Sequence, residues 1–112
     1  MEKLRLHRDG MKDLVFQGEL LGSSSTRWIG SQEQTRWNEY ELYKTKGGKY
    51  VLAKIYKTCW QGEVGSEEAE VYTLDGLRNE YSEEMSNAEY RMFAEACEKD
   101  PDLEYIRDDV II

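Results

Sequence analysis

The chain contains one histidine, His7, and two cysteines, Cys59 and Cys97. A hydrolytic site needs a nucleophile with a base positioned beside it. Any Ser-His or Cys-His pair here would have to be built on His7. That residue sits in an alternating stretch near the N-terminus, a setting that suits a surface residue better than a base. The cysteines have neither CxxC spacing nor a neighbouring histidine, so they read as reduced thiols rather than a disulfide or a metal clip. Asp100, Asp102, Glu104, Asp108 and Asp109 lie close in sequence. They lack the spacing and central glycine of a calcium-binding loop. Gly47-Gly48-Lys49 lacks the earlier glycine and the strand-to-helix setting of a phosphate-binding loop. Neighbouring acids such as Glu83 and Glu84 fit a solvated surface. The expectation is a protein that is not an enzyme and carries no cofactor and no metal.

Two charged groupings offer binding chemistry instead. Lys44, Lys46, Lys49, Lys54 and Lys57 are interleaved with Tyr43, Tyr50 and Tyr56, and lysines alternating with aromatics on a sheet can hold single strands by charge and stacking. Against this, the formal net charge is −8, far from the basic balance of nucleic-acid binders. The charge is also unevenly placed. Residues 1–58 hold 11 Lys/Arg against 7 Asp/Glu, and residues 59–112 hold 4 against 16. An acidic half repels nucleic acid and attracts basic protein surfaces. Ordinary solubility explains the same charge without any partner.

The elements that would position these groups centre on the stretch from Trp37 to Thr58. Two runs rich in Tyr, Leu, Val and Ile flank Gly47-Gly48, a strong hairpin signal. A two-residue turn would set Tyr40 opposite Ile55, Leu42 opposite Ala53 and Lys44 opposite Val51 on an apolar face. The other face would pair Tyr43 with Leu52, Glu41 with Lys54, Glu39 with Tyr56 and Trp37 with Thr58. That register gathers Trp37, Tyr43, Tyr50 and Tyr56 on one aromatic face.

Around this hairpin, residues 3–8 alternate as a short strand, Asp9-Gly10 offers a turn, and a second strand runs from 13 to 21. Gly22 to Thr26 reads as a loop by composition, and Trp28 is expected to tuck back onto the core. Residues 59–68 read as irregular, with Trp60 as an anchor, and 69–74 as a last strand. Thr73 can cap a short helix from Leu74 to Tyr81. Ser86 and Glu89 form a capping-box pattern that opens a helix over 87–99, with Met92, Phe93, Ala96 and Cys97 as its apolar stripe. Asp100-Pro101 ends it. Val110, Ile111 and Ile112 are too apolar to dangle, so they should pack or dock to a partner. The chain reads as one α+β domain over 1–112, an antiparallel sheet of about five strands followed by two helices packed on it. The absence of an apolar signal core or spanning segment implies a cytoplasmic protein.

Phe16-Gln17-Gly18-Glu19-Leu20-Leu21-Gly22, then Tyr40 to Tyr43, then Gly48 to Leu52, Trp60, and Glu70 to Arg78 follow one another in an order that resembles the bacterial EXLDI proteins. The resemblance covers about residues 4–96. Family members often begin with a ribbon-helix-helix-like DNA-binding arm, whereas this chain starts at the sheet. The family's closing Glu-x-Leu-Asp-Ile is replaced by Asp108 to Ile112. The resemblance implies the domain architecture and a bacterial or mobile-element setting, and it implies no activity.

The functional expectation is therefore a regulatory protein acting through contacts with another protein or as a homodimer. Its contact surfaces would be the aromatic face (Trp37, Tyr43, Tyr50, Tyr56) and the tail (Val110, Ile111, Ile112). One alternative is a phage-type, anti-CRISPR-like inhibitor whose acids mimic nucleic acid. It requires Glu67, Glu68, Glu70, Glu80, Glu83, Glu84, Asp108 and Asp109 to share one face. The other alternative, disfavoured by charge, is single-stranded nucleic-acid binding through the hairpin.

Overall fold

The structure is a computed structural model that describes residues 2–27 and 35–111. Five strands, β1 (Glu2–Leu6), β2 (Leu14–Ser25), β3 (Arg36–Thr45), β4 (Tyr50–Thr58) and β5 (Ser66–Tyr72), form one antiparallel sheet in sequential order. The helices α1 (Leu74–Glu80) and α2 (Asn87–Lys99), a 3₁₀ turn (Pro101–Leu103) and the short α3 (Glu104–Arg107) follow. This is the expected α+β architecture with two more short helical segments than expected, the 3₁₀ turn and α3. The extra turn exists because the Asp100 carboxylate accepts the Asp102 N–H and restarts the chain where Pro101 stops α2.

The central hairpin has a different register from the one expected. Lys44 lies opposite Tyr50, Leu42 opposite Leu52, Tyr40 opposite Lys54, and Tyr43 opposite Val51. Three residues, Lys46 to Gly48, make the connection. The Thr45 N–H donates to the Lys49 carbonyl at 2.8 Å, and only Gly48 takes a positive φ, +84°. Three-residue loops that end in a left-handed glycine are the next most common hairpin closure after two-residue turns. Thr45 tips the choice by also accepting the Lys49 N–H on its hydroxyl, 3.0 Å away.

That single extra loop residue moves every side chain of β4 to the other face. Glu41 now faces Ala53 rather than Lys54. Tyr50 and Tyr56 leave the face of Trp37 and Tyr43, so the expected aromatic face does not form. The even-numbered residues of β3 and β4 instead meet the helices. Leu42, Tyr50 and Leu52 join Leu21, Leu77, Met92, Phe93, Leu103 and Ile106 in the main core. The odd-numbered Tyr43, Val51 and Ala53 join Ala69 in a second cluster covered by Leu4, Leu6, Leu14 and Phe16. Tyr50 to Ala53 are buried throughout for this reason.

The second cluster exists because the sheet curls. Residues 14–18 of β2 pair with β1, and residues 18–25 pair with β3. The turn after β1 then reaches the last strand. The Asp9 N–H donates to the Glu67 carbonyl at 2.9 Å, and the Glu67 N–H donates to the Asp9 carboxylate at 3.0 Å.

The Ser-rich stretch expected as a loop is the end of β2. Past Gly18, β1 no longer covers this edge, and α2 takes its place. Lys99 donates to the Leu20 carbonyl and Arg91 to the Ser25 carbonyl. The Ser24 hydroxyl donates to the Ala88 carbonyl. Covering a sheet edge in this way removes a site for unwanted strand pairing. The close approach requires a residue without a Cβ at Gly22, where one would overlap the Met92 carbonyl oxygen. Both caps expected from sequence are present: Thr73 accepts from the Gly76 N–H, and Ser86 and Glu89 form the full capping box.

Candidate functional site

The most organised exposed feature is the loop between β4 and β5. It is built from the base upward. Tyr56, near the end of β4, donates its hydroxyl to Glu63 at 2.5 Å. Arg36, the first residue of β3, donates to the same carboxylate from Nε and Nη2 at 3.0 and 2.7 Å. Paired donation from a guanidinium fixes geometry as well as charge. The two side chains hold the Glu63 carboxyl down at about 2, with the Arg36 hydrogen bonds contributing most.

Above this clamp sits Trp60. Its indole N–H donates to the Thr35 hydroxyl at 2.6 Å, and the Arg36 guanidinium lies 5.5 Å from its ring centroid. The ring is nonetheless 54% exposed, and Val64 beyond it is 88% exposed. Trp60 was expected to be an anchor of this segment. The structure fixes its polar edge on Thr35 and leaves about half of the residue exposed. No sequence signal points to this clamp, because it joins residues 36, 56, 60 and 63 from two strands and a loop.

The residues singled out from sequence are dispersed. Tyr43 and Tyr50 are buried. Trp37 and Tyr56 are half-buried on opposite faces of the sheet. Trp37 lies under Arg27, whose guanidinium carbon is 4.2 Å from its ring centroid. Val110 and Ile111 are exposed, Ile111 at 88%. Trp28 and Ile112 lie outside the described residues.

The acidic candidates do not share one face. Glu68 and Glu70 lie on the helix side of β5, where they line a recess with Glu80. Glu67 is on the opposite side, beside His7 and Asp9. Glu83 and Glu84 occupy the loop between α1 and α2, and Asp108 is paired with Arg107. The lysine hairpin is equally divided: Lys44 bonds Asp100 at 2.9 Å and Lys57 approaches Glu39 at 3.4 Å.

His7 does have chemistry, though its groove holds no cysteine among the described residues. Nδ1 lies 3.1 Å from Asp13, and Nε2 lies 3.3 Å from Asp9. A ring flanked by carboxylates on both nitrogens favours the imidazolium. The hydrogen bond to Asp13 is the main cause of a pKa raised above the ordinary histidine value. Because the folded pKa is raised, the contribution to stability is full below the unfolded value of about 6.5 and is lost as pH rises through the folded one. As the lone histidine, His7 gives an unambiguous proton NMR titration. Its midpoint is expected above 6.5, and Asp13→Asn should lower it. An unchanged midpoint in that variant would show that the Asp13 contact is not made in solution.

The fold and site together define an α+β protein whose helices cover one side of a curled antiparallel meander, with a braced aromatic loop at one end. No family model, no curated protein and no solved structure matches the chain. Among the described residues no helix is long and apolar enough to cross a membrane.

Proposed function

We propose that this chain is a non-catalytic protein that works by contact with another protein, and that Trp60 is the anchor of that contact. The supporting observation is the braced, exposed indole. Tryptophans that fill a partner's pocket are among the residues that carry most of an interface's energy. Holding such a ring in place beforehand lowers the ordering cost of association. Thr35, Arg36, Glu63 and Tyr56 do this while leaving about half of the residue exposed. Val64 extends the apolar surface of the same loop. The motif order that resembles the EXLDI proteins supports a bacterial or mobile-element setting, and a regulatory role is part of the same proposal.

The test is a pull-down from bacterial lysate with the wild-type chain and with Trp60→Ala, each with and without nuclease. A protein retained by the wild type through nuclease treatment and lost with Trp60→Ala is the expected result. The affinity loss should be about 2 kcal/mol or more, with folding stability lowered by only about 1 kcal/mol, the scale of the lost Thr35 hydrogen bond. Retention that disappears with nuclease would favour a nucleic-acid partner. Retention that is equal in both proteins would remove Trp60 from the interface.

A further inference from the structure

β5 is an outer strand of the sheet, hydrogen-bonded only to β4. The direction of its backbone groups follows from the two ends of the β3–β4 pair. The Thr45 N–H donates to the Lys49 carbonyl, and the Cys59 N–H donates to the Thr35 carbonyl. The odd-numbered residues of β4 therefore bond β3. Bonding direction alternates along an antiparallel strand, so the even-numbered residues of β4 bond β5, where Lys54 faces Glu68 and Leu52 faces Glu70. The N–H and C=O groups of Glu67, Ala69 and Val71 then point away from β4. Glu67 bears this out, because Asp9 takes both of its groups, one with its own N–H and one with its carboxylate.

Beyond Glu67 this side is open. Ala69 and Val71 have no such partner among the described residues. Ala69 is only 5% exposed, and unpaired backbone groups that water reaches poorly cost free energy. The edge of β2 is covered by α2, whereas nothing bonds β5 here. The side chains around the gap are acidic. Glu68, Glu70 and Glu80 line a recess of about 70 Å³ on the helix side that reaches Ala69, with Lys54 as its one cation. Glu70 accepts from the Tyr72 hydroxyl, while Glu68 and Glu80 have no ion-pair partner among the described residues. The recess has room for more than one water and suits the head of an Arg or Lys side chain. On the opposite face Val71 is 47% exposed.

We infer that the free side of β5 at Ala69 to Val71 accepts an extended segment of a partner protein in which Arg or Lys alternates with apolar residues. In recognition by an added strand the main-chain bonds give affinity and alternate side chains give specificity. One set of the segment's side chains meets Glu68, Glu70 and Glu80, and the other lies beside Val71. A second copy's β5 is a poor occupant, because it would set Glu67, Glu68 and Glu70 against their own kind. The inference stands on the strand edge and does not depend on Trp60.

The experiment is a titration of the full chain with a short capped peptide of alternating arginine and valine, followed by NMR at the backbone amides. One control peptide has glutamate in place of arginine, and another is N-methylated at every residue. The expected result is saturable movement of the Ala69 and Val71 signals, with hydrogen exchange at the Val71 amide slowed about tenfold or more. Each control peptide should bind about tenfold more weakly or worse. Val71→Pro removes an outward N–H but no bond of the β4–β5 ladder, so it should weaken binding by a similar factor while the sheet signals stay in place. Glu68→Gln should weaken it about threefold, the scale of an exposed charge pair. Equal binding of the N-methylated peptide would overturn the inference, since only charge attraction would remain. So would equal binding of the glutamate peptide, or unchanged affinity in Val71→Pro. Slowing of the Val71 amide with protein concentration alone would overturn it too, by assigning the edge to a second copy.

Discussion

Asp100→Ala is expected to destabilise the fold by about 3–5 kcal/mol, the range for removing one partner of a buried ion pair. Asp100 is 5% exposed and is the only charged residue that is buried among the described residues. Its Oδ2 accepts from Lys44 at 2.9 Å and from the Tyr50 hydroxyl at 2.5 Å. Its Oδ1 accepts the Asp102 N–H at 3.2 Å. One carboxylate thus ties two strands of the central hairpin to the end of α2 and starts the following turn. Alanine would leave the Tyr50 hydroxyl without its partner, and the Lys44 ammonium, only 32% exposed, would lose its counter-charge. Equilibrium denaturation in guanidinium measures the loss. A change below about 1 kcal/mol, the scale of an exposed pair, would mean that the network is solvated.

The same residue predicts an acid limb. Burial pushes the Asp100 carboxyl up, but the hydrogen bonds from Lys44 and Tyr50 outweigh it and hold the group below its ordinary value. A depressed folded pKa contributes stability that is present above the unfolded value of about 3.9. That stability is lost as pH falls through the folded value. Asp100→Asn keeps an acceptor and removes the titration. It should therefore be less stable than wild type near neutrality, and the difference should shrink below about pH 4. A gap that stays constant with pH would assign the effect to packing alone.

Local sequence signals located the elements, and long-range geometry escaped them. The Ser86–Glu89 box, the Thr73 cap and the Asp100-Pro101 stop act within a few residues, so each was legible where it stands. The hairpin turn was legible in position but not in length. Whether two or three residues close it depends on which glycine turns left-handed, and that choice moved Tyr50 and Tyr56 to the other face. Lys44 was the available clue. It stood on the face expected to be apolar, and a lysine there demands a buried acceptor. Only the fold shows that the acceptor is Asp100, 56 residues away, rather than a member of a surface acidic cluster. The Ser-rich end of β2 failed for a related reason. Its composition favours a loop, and pairing with β3 and cover by α2 override that preference. Arg36 with Glu63 is likewise a pairing made by topology.

Phe93→Ala should cost about 3–5 kcal/mol, as complete removal of a buried aromatic does. Phe93 is fully buried and meets the Tyr81 ring edge-on, with centroids 5.0 Å apart. It lies in the cluster that joins α1, α2 and the C-terminal turns to β2, β3 and β4. The second cluster, on the concave side of the sheet, shares no residue with it. The damage should therefore be directional. Hydrogen exchange is expected to show lost protection in α1, α2 and α3 first, while the β3–β4 amides stay the slowest. Both strands contribute buried residues to both clusters, so their bonds open only when both clusters fail. Uniform loss of protection would show that the two clusters unfold as one unit. Peeling of α2 alone would also uncover the β2 edge at Leu20 to Ser25, which α2 covers in the folded protein. An open edge of that kind templates pairing with another chain. The Phe93→Ala protein should accordingly self-associate at concentrations where the wild type does not, which light scattering reads directly. A variant that loses stability but scatters no more than wild type would show that the edge stays covered, and that α2 remains docked until the sheet itself opens.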